Sequence, residues 1–321
     1  MNQTTKKQHY IWRNYLAPWT VNNSNTGRIV CLRDNKIFPV SLMKVAHENY
    51  FYGVKRLSKL ERKIIYEMTI KNTKGAQRTA NEGWLNLYCA PFDFVDEMTS
   101  IGYSMWGHIE KAEIEKNQEF KDWNIEYIEK LHGQIESKGI PYIALLRQNN
   151  LSFWQNESDR DVFSFFLANQ YFRTKNTRDR ILKVFEKSKI QSAFFENIRP
   201  ENMWLPLSLI FASNTGAHIA HNFSAVLMQA KDSCFIVGDQ PVVNTYSTFD
   251  MLTTPKDMEF FYPLTPHSAL LLTKSRQYKN GESIQIGAEE VAAYNKLEKC
   301  AVREMLFAKE KEHLEPFIIL A

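Results

Sequence analysis

An apolar run, Cys234-Phe235-Ile236-Val237, breaks off into the polar turn Gly238-Asp239-Gln240-Pro241. No other stretch constrains the fold as tightly. β-Branched and aromatic residues at this density suit a strand covered on both faces. Gly238 can take backbone angles closed to other residues. Pro241 cannot donate to a ladder, so the strand must end, bulge or lie at an edge there. Asp239 is therefore expected at a strand end, where carboxylates often carry function. The competing reading is an Asx-type turn in which the carboxylate bonds its own backbone.

Further β signals surround this stretch. Residues 223–229, 260–264 and 269–273 read as strands with antiparallel neighbours. Residues 288–309 read as a closing helix containing Asn295, and Phe317–Leu320 as a final strand. Near the start, Arg28–Leu32 and Lys36–Val40 flank Asp34-Asn35 as a hairpin. Tyr10, Ile11, Tyr15 and Leu16 fall at helical spacing, which places His9 at the start of a helix that Pro18 stops.

The middle of the chain is helical. Ser58 and Glu61 form a capping box, which accounts for Glu61 without a catalytic role. Residues 79–100 read as a helix that Pro91 should interrupt. Residues 108–138 read as one or two amphipathic helices whose charges form a wet face. The expected class is α+β, with a mostly helical N-terminal and central part packed on a C-terminal, mainly antiparallel β-sheet. Its 321 residues fit a single domain over 1–321, with 72–140 as the candidate helical subdomain or insertion.

Candidate chemistry is scattered. Gln170 and Arg173 lie three apart and project from one helical face. Arg173, Arg178 and Arg180 crowd a helix–helix junction and could clamp an anion, since guanidinium holds phosphate or carboxylate in a two-pronged fork. Alternatively they are surface arginines paired with Asp179 and Glu186. His218 and His221 could share a metal only on a helix, whereas Gly216 and the apolar run after Asn222 favour strand or loop.

Composition removes several classes. A net charge of +4 with pI near 8.7 permits contact with phosphates without demanding it. No apolar run is long enough to span a membrane. The first seven residues lack an apolar stretch behind them and do not read as a signal peptide. Four dispersed cysteines with no paired spacing read as reduced thiols in a cytoplasm.

Several scattered pieces together resemble one bacterial family, Domain of Unknown Function 4238. His9-Tyr10-Ile11 with Tyr15-Leu16 is similar to its opening His-Tyr-Ile-Pro and Tyr-Leu. Gln170, Arg173 and Thr174 match Gln-x-x-Arg-Thr. Asp239, Pro241 and Val242 match a strand ending in Ser-Asp-x-Pro-Val. A Pro-Leu-x-Pro turn at 263–266 and a late helix with Asn295 are also similar. Trp12 stands where the family prefers Pro, and Gly238 where it prefers Ser. The resemblance implies an intracellular bacterial protein and brings no activity with it.

Polar residues of such a signature are expected to converge. His9, Gln170, Arg173 and Asp239 are thus expected to line one cleft between the helices and the C-terminal sheet. The leading expectation is a hydrolase acting on a phosphodiester, a nuclease-like effector of the toxin or phage-defence kind. Arg173 and Arg178, with Asn295, would hold the anion, and His9 would be the acid–base group. Asp239 would orient His9 or hold a divalent cation, the one candidate cofactor, and Gln170 would place a water. Nucleic acid or a nucleotide is the matching partner. The alternative is a binding or sensing module for an anionic small molecule or peptide terminus, without turnover. A third reading makes the polar residues structural pins.

Overall fold

A computed structural model describes residues 7–191 and 195–319. Strand β1 (Lys7–His9) leads into a one-turn helix α1 (Arg13–Leu16), the hairpin β2 (Arg28–Arg33) and β3 (Lys36–Ser41), and β4 (His47–Asn49). Helices follow: α2 (Lys59–Thr69), α3 (Gly75–Ser100), α4 (Lys111–Lys116), α5 (Gln118–Arg147), α6 (Glu157–Phe172), α7 (Lys175–Gln191) and α8 (Pro200–Asn222). The C-terminal part holds β5 (Ser224–Ala230), β6 (Val237–Gly238), β7 (Val243–Asn244), β8 (Phe260–Thr265), β9 (Ser268–Thr273) and β10 (Glu282–Ile286). Helix α9 (Ala288–Ala301) and β11 (Leu306–Ala308) complete it. The class is α+β, with helices in the N-terminal and central part and sheets toward the C-terminus.

One sheet runs β10-β5-β9-β8-β7, antiparallel except for the parallel β10–β5 pair. A second, antiparallel throughout, runs β3-β2-β11-β6. The hairpin forms as expected, with Asp34 and Asn35 at φ 48° and 59°, the positive angles a tight two-residue turn needs. It does not stand alone, because β11 and β6 extend it. β1 pairs with β4, setting His9 opposite His47.

The sequence predicts an interruption at Pro91 that the structure runs through, whereas a helix continuing past Pro206 is what the sequence leads one to expect. Pro91 lies inside α3 and Pro206 inside α8. A helical proline leaves the carbonyl four residues back without its donor. For Pro91 that carbonyl is Leu87, and the Tyr127 hydroxyl donates to it at 2.8 Å. For Pro206 it is Asn202, which lies 3.1 Å from the Tyr88 hydroxyl, a donor shared with the Lys55 carbonyl. Helix α8 carries buried apolar residues on every side and packs against α3, α6 and α7. Gly216 is no breaker either. A Cβ there would meet the Phe165 backbone at 2.8 Å, so glycine lets α8 and α6 approach.

Other expectations are corrected. His9 ends a strand and does not start a helix. His218 and His221 ride on α8, not on a strand or loop. The closing helix stops at Ala301, and the chain turns to form β11. Glu315–Phe317 is a 3-10 turn, not a strand, and Leu320 and residues 1–6 lie outside the described residues. Among those residues, no helix is long and apolar enough to cross a membrane. One buried cluster runs from Tyr10 to Phe307 and ties the first segment to β11.

Candidate functional site

Asp239 follows β6 and is 1% exposed. Its carboxylate accepts the backbone N–H groups of Arg303 and Glu304, each at 2.7 Å, and of Met305 at 3.1 Å. Its own N–H donates to the Met305 carbonyl. Burial pushes the carboxyl up to about 6 against these three donors, and Glu304 adds to the rise. Both oxygens are engaged, so Asp239 fastens the loop between α9 and β11. It does not line a cleft with His9, and the expected four-residue convergence is corrected here.

The neighbouring signature residues are fasteners as well. The Thr174 hydroxyl donates to Gln240 Oε1, and Gln240 Nε2 reaches the carbonyls of Tyr171 and Val242. The Tyr15 hydroxyl faces the Pro241 carbonyl at 3.4 Å. Asn295 clips the segment before β6, accepting from Ile236 N at 3.0 Å and donating to the Cys234 carbonyl at 2.9 Å. Both ends of its amide thus hold this segment in place. Gln170 is buried inside α6, where its Nε2 has no hydrogen-bond partner.

The three arginines separate. Arg178 pairs with Glu48 at 2.9 Å and Asp179 at 3.4 Å, and its guanidinium lies over the Phe51 ring at 4.8 Å. Burial raises the Glu48 carboxyl, but Arg178 and Lys175 outweigh it and hold the group low. Arg180 donates to the Thr253 carbonyl. Only Arg173 turns inward, so the three form no single clamp.

What the structure does bring together is a polar hollow of about 230 Å³, lined by His9, Tyr52, Glu129, His132, Glu136 and Arg173 with Trp12 and Arg13. Strand β1 supplies His9, whose ring meets His47 edge-on at 5.5 Å. Tyr52 follows β4 and lies 4.3 Å from the His132 ring. Arg173 caps α6, is 2% exposed, and pairs with Glu136. Desolvation opposes its charge, but Tyr52 and Glu136 more than restore it. Burial, with the Arg173 charge adding, depresses His132 to about 3, so its imidazole is neutral at physiological pH. Burial raises the Glu129 carboxyl, with Arg173 opposing.

Glu129, His132 and Glu136 were missed in the sequence, where this helix reads as a wet amphipath. Their spacing of three and four puts them on one face of α5 together with Gly133. The readable signal is a histidine buried between Ile128 and Ile135, one turn from a carboxylate on either side. Among the described residues, no three His, Cys, Asp or Glu side chains are placed to hold one metal ion, which includes His218 and His221.

No curated protein and no solved structure matches the chain. The profile of the family described as Protein of unknown function (DUF4238) matches residues 7–312, nearly the whole sequence. That span takes in His9 and Arg173 at the hollow as well as the fasteners Thr174, Gln240 and Asn295. The chain belongs to the DUF4238 family.

Proposed function

We propose that the hollow around Arg173 binds the anionic group of a small molecule. One observation carries this reading. Tyr52 Oη and Arg173 Nε have no hydrogen-bond partner, His132 has only Asn169 beside it and Glu129 only Gln8, and all four belong to the lining. Buried polar atoms left unpaired cost about 1–3 kcal/mol each, and native interiors hold few of them. So many around one small space mark a place that a polar molecule completes. Arg173, Tyr52 and neutral His132 each offer a donor, which suits phosphate or carboxylate oxygens. Calorimetric titration with inorganic phosphate and with acetate tests the reading. Tyr52→Phe keeps the ring and removes one donor, and should weaken binding about tenfold. Wild-type protein that binds neither anion would sink the proposal.

Hydrolysis of a phosphodiester is the second reading, favoured by the raised carboxyl of Glu129 across from His9. Glu129 would take a proton from water as the water oxygen attacks phosphorus. His9 would give a proton to the departing oxygen as its bond to phosphorus breaks. Arg173 would offset the charge that builds on the phosphoryl oxygens. The protein would then be a nuclease-like effector in a bacterial cytoplasm, acting in toxicity or phage defence on a nucleic acid or nucleotide. The assay is release of nitrophenolate from bis(p-nitrophenyl) phosphate, with single-stranded DNA and RNA in parallel. His9→Ala and Glu129→Gln should each slow turnover at least a hundredfold. Inertness of the wild type toward all three substrates ends this reading.

A further inference from the structure

A second, larger hollow lies on the other side of the Phe51–Tyr52 segment. It is a groove of about 900 Å³ between the start of α5, the Gly53–Arg56 segment, α7 and the start of α8. The volume suits a whole small ligand. Its apolar floor includes Phe51, Phe92, Phe120 and Trp204.

The charge of the groove is not balanced. Arg56 is held by Asp96 and Glu115, and Arg178 by Glu48. Lys55, Lys121 and Arg199 also line it, and their side chains have neither a hydrogen bond nor an ion pair among the described residues. Glu201 is the one lining carboxylate left unpaired. Three unmatched cations against one unmatched anion call for a negatively charged occupant.

Asn124 adds a second kind of demand. It lines the groove at 5% exposure, and its Oδ1 has no partner. Its Nδ2 reaches the Val54 carbonyl only at 3.5 Å. An unpaired amide oxygen on a lining residue asks for an N–H donor, and a flat donor fits beside the aromatic residues of the same lining. A fatty acid or bare phosphate would satisfy the cations and leave Asn124 unmet. A nucleotide supplies all three properties: phosphates, a flat ring, and a ring or exocyclic N–H.

We propose that this groove is a nucleotide-binding site, with phosphates toward Lys55, Lys121 and Arg199 and the base toward Asn124. It is separate from the Arg173 hollow and does not depend on that hollow's function. The occupant can be a free nucleotide or a unit of a single strand, and two probes distinguish them. Fluorescence anisotropy would follow N-methylanthraniloyl-ATP and a fluorescein-labelled oligothymidylate, with tripolyphosphate as competitor.

Lys121→Glu and Arg199→Glu change exposed side chains that hold no partner, so the fold should stand. Each should weaken whichever probe binds about tenfold. Asn124→Leu should weaken the nucleotide probe at least about fivefold while tripolyphosphate competes as before. Tyr52→Phe should leave groove binding unchanged, which separates failure here from failure at the Arg173 hollow. Binding of either probe with this pattern supports the site and names its source. Absence of binding by both probes at low salt overturns the proposal, as does binding that ignores both charge reversals. Insensitivity to Asn124→Leu would reduce the groove to a bare polyanion site and overturn its assignment to nucleotides.

Discussion

At the residue scale, buried polar groups divide into those that are completed and those that are not. Asp239 is completed by three backbone donors from one loop. Asp239→Ala would strand those donors, so urea unfolding should show a loss on the order of 3 kcal/mol. Phosphate binding at the Arg173 hollow should survive under native conditions. Gly238 has a steric reason. A Cβ there would sit 2.5 Å from Val302 Cγ2, so the family's serine needs a smaller residue opposite. Gly238→Ser should destabilise by about 1–3 kcal/mol, and Val302→Ala in the same chain should recover much of it. His132 makes stability depend on acid. Its folded value is depressed to about 3, so its contribution is whole above about 6.5 and is lost as pH falls toward 3. The slope inside that window is about 1.4 kcal/mol per pH unit. The drop in denaturant midpoint between neutral and mildly acidic buffer should therefore shrink in His132→Gln. Asp239, raised to about 6, has the opposite sign and is common to both proteins. The sequence marks Asp239 as a pivot but cannot show its partners. Backbone N–H groups have no side-chain signature, and these lie in a loop far along the chain. Arg173 and His9 are readable as polar residues in short motifs. Their companions on α5 are hidden because a helix rich in Glu and Lys looks uniformly wet until one face is known to be covered.

At the scale of elements, two tyrosines explain two prolines. The Tyr127 hydroxyl answers the Leu87 carbonyl that Pro91 frees, and Tyr88 does so for Asn202 and Pro206. Tyr127→Phe should cost about 1 kcal/mol in thermal or urea unfolding. In a Pro91→Ala background residue 91 regains its own donor, so the cost of Tyr127→Phe should fall close to zero. A cycle with no coupling would refute that pairing. Proline is a reliable breaker only where nothing else can serve the orphaned carbonyl, and a hydroxyl on a neighbouring helix is invisible to local reading. The capping box at Ser58 and Glu61 and the hairpin at Asp34-Asn35 were legible because each is closed within a few residues. Strand β10 was not, since it joins β5 in parallel only after four other strands, β6 to β9, have intervened in the chain. The two- and three-residue strands β6 and β11 are too short to carry a period.

At the scale of the molecule, the family signature works mostly as a joint. Thr174 to Gln240, Tyr15 to Pro241, and Asn295 to Ile236 fasten helices to the strand-end segment. The α+β class was readable because helical and strand patterns segregate along the chain. Of the four signature residues expected to line one cleft, His9 and Arg173 line a hollow, while Asp239 holds the loop between α9 and β11. The sheet shared by the two ends has a bearing on how the protein is made. Leu32 of β2 pairs with Leu306 of β11. During synthesis the hairpin leaves the ribosome with one edge bare, and its neighbour, paired as Leu306 with Leu32, follows 274 residues later. Such distant pairing makes for slow closure. A nascent chain halted within α9 should therefore show a hairpin edge still open to proteases or chaperones, while one carried past Ala308 should not.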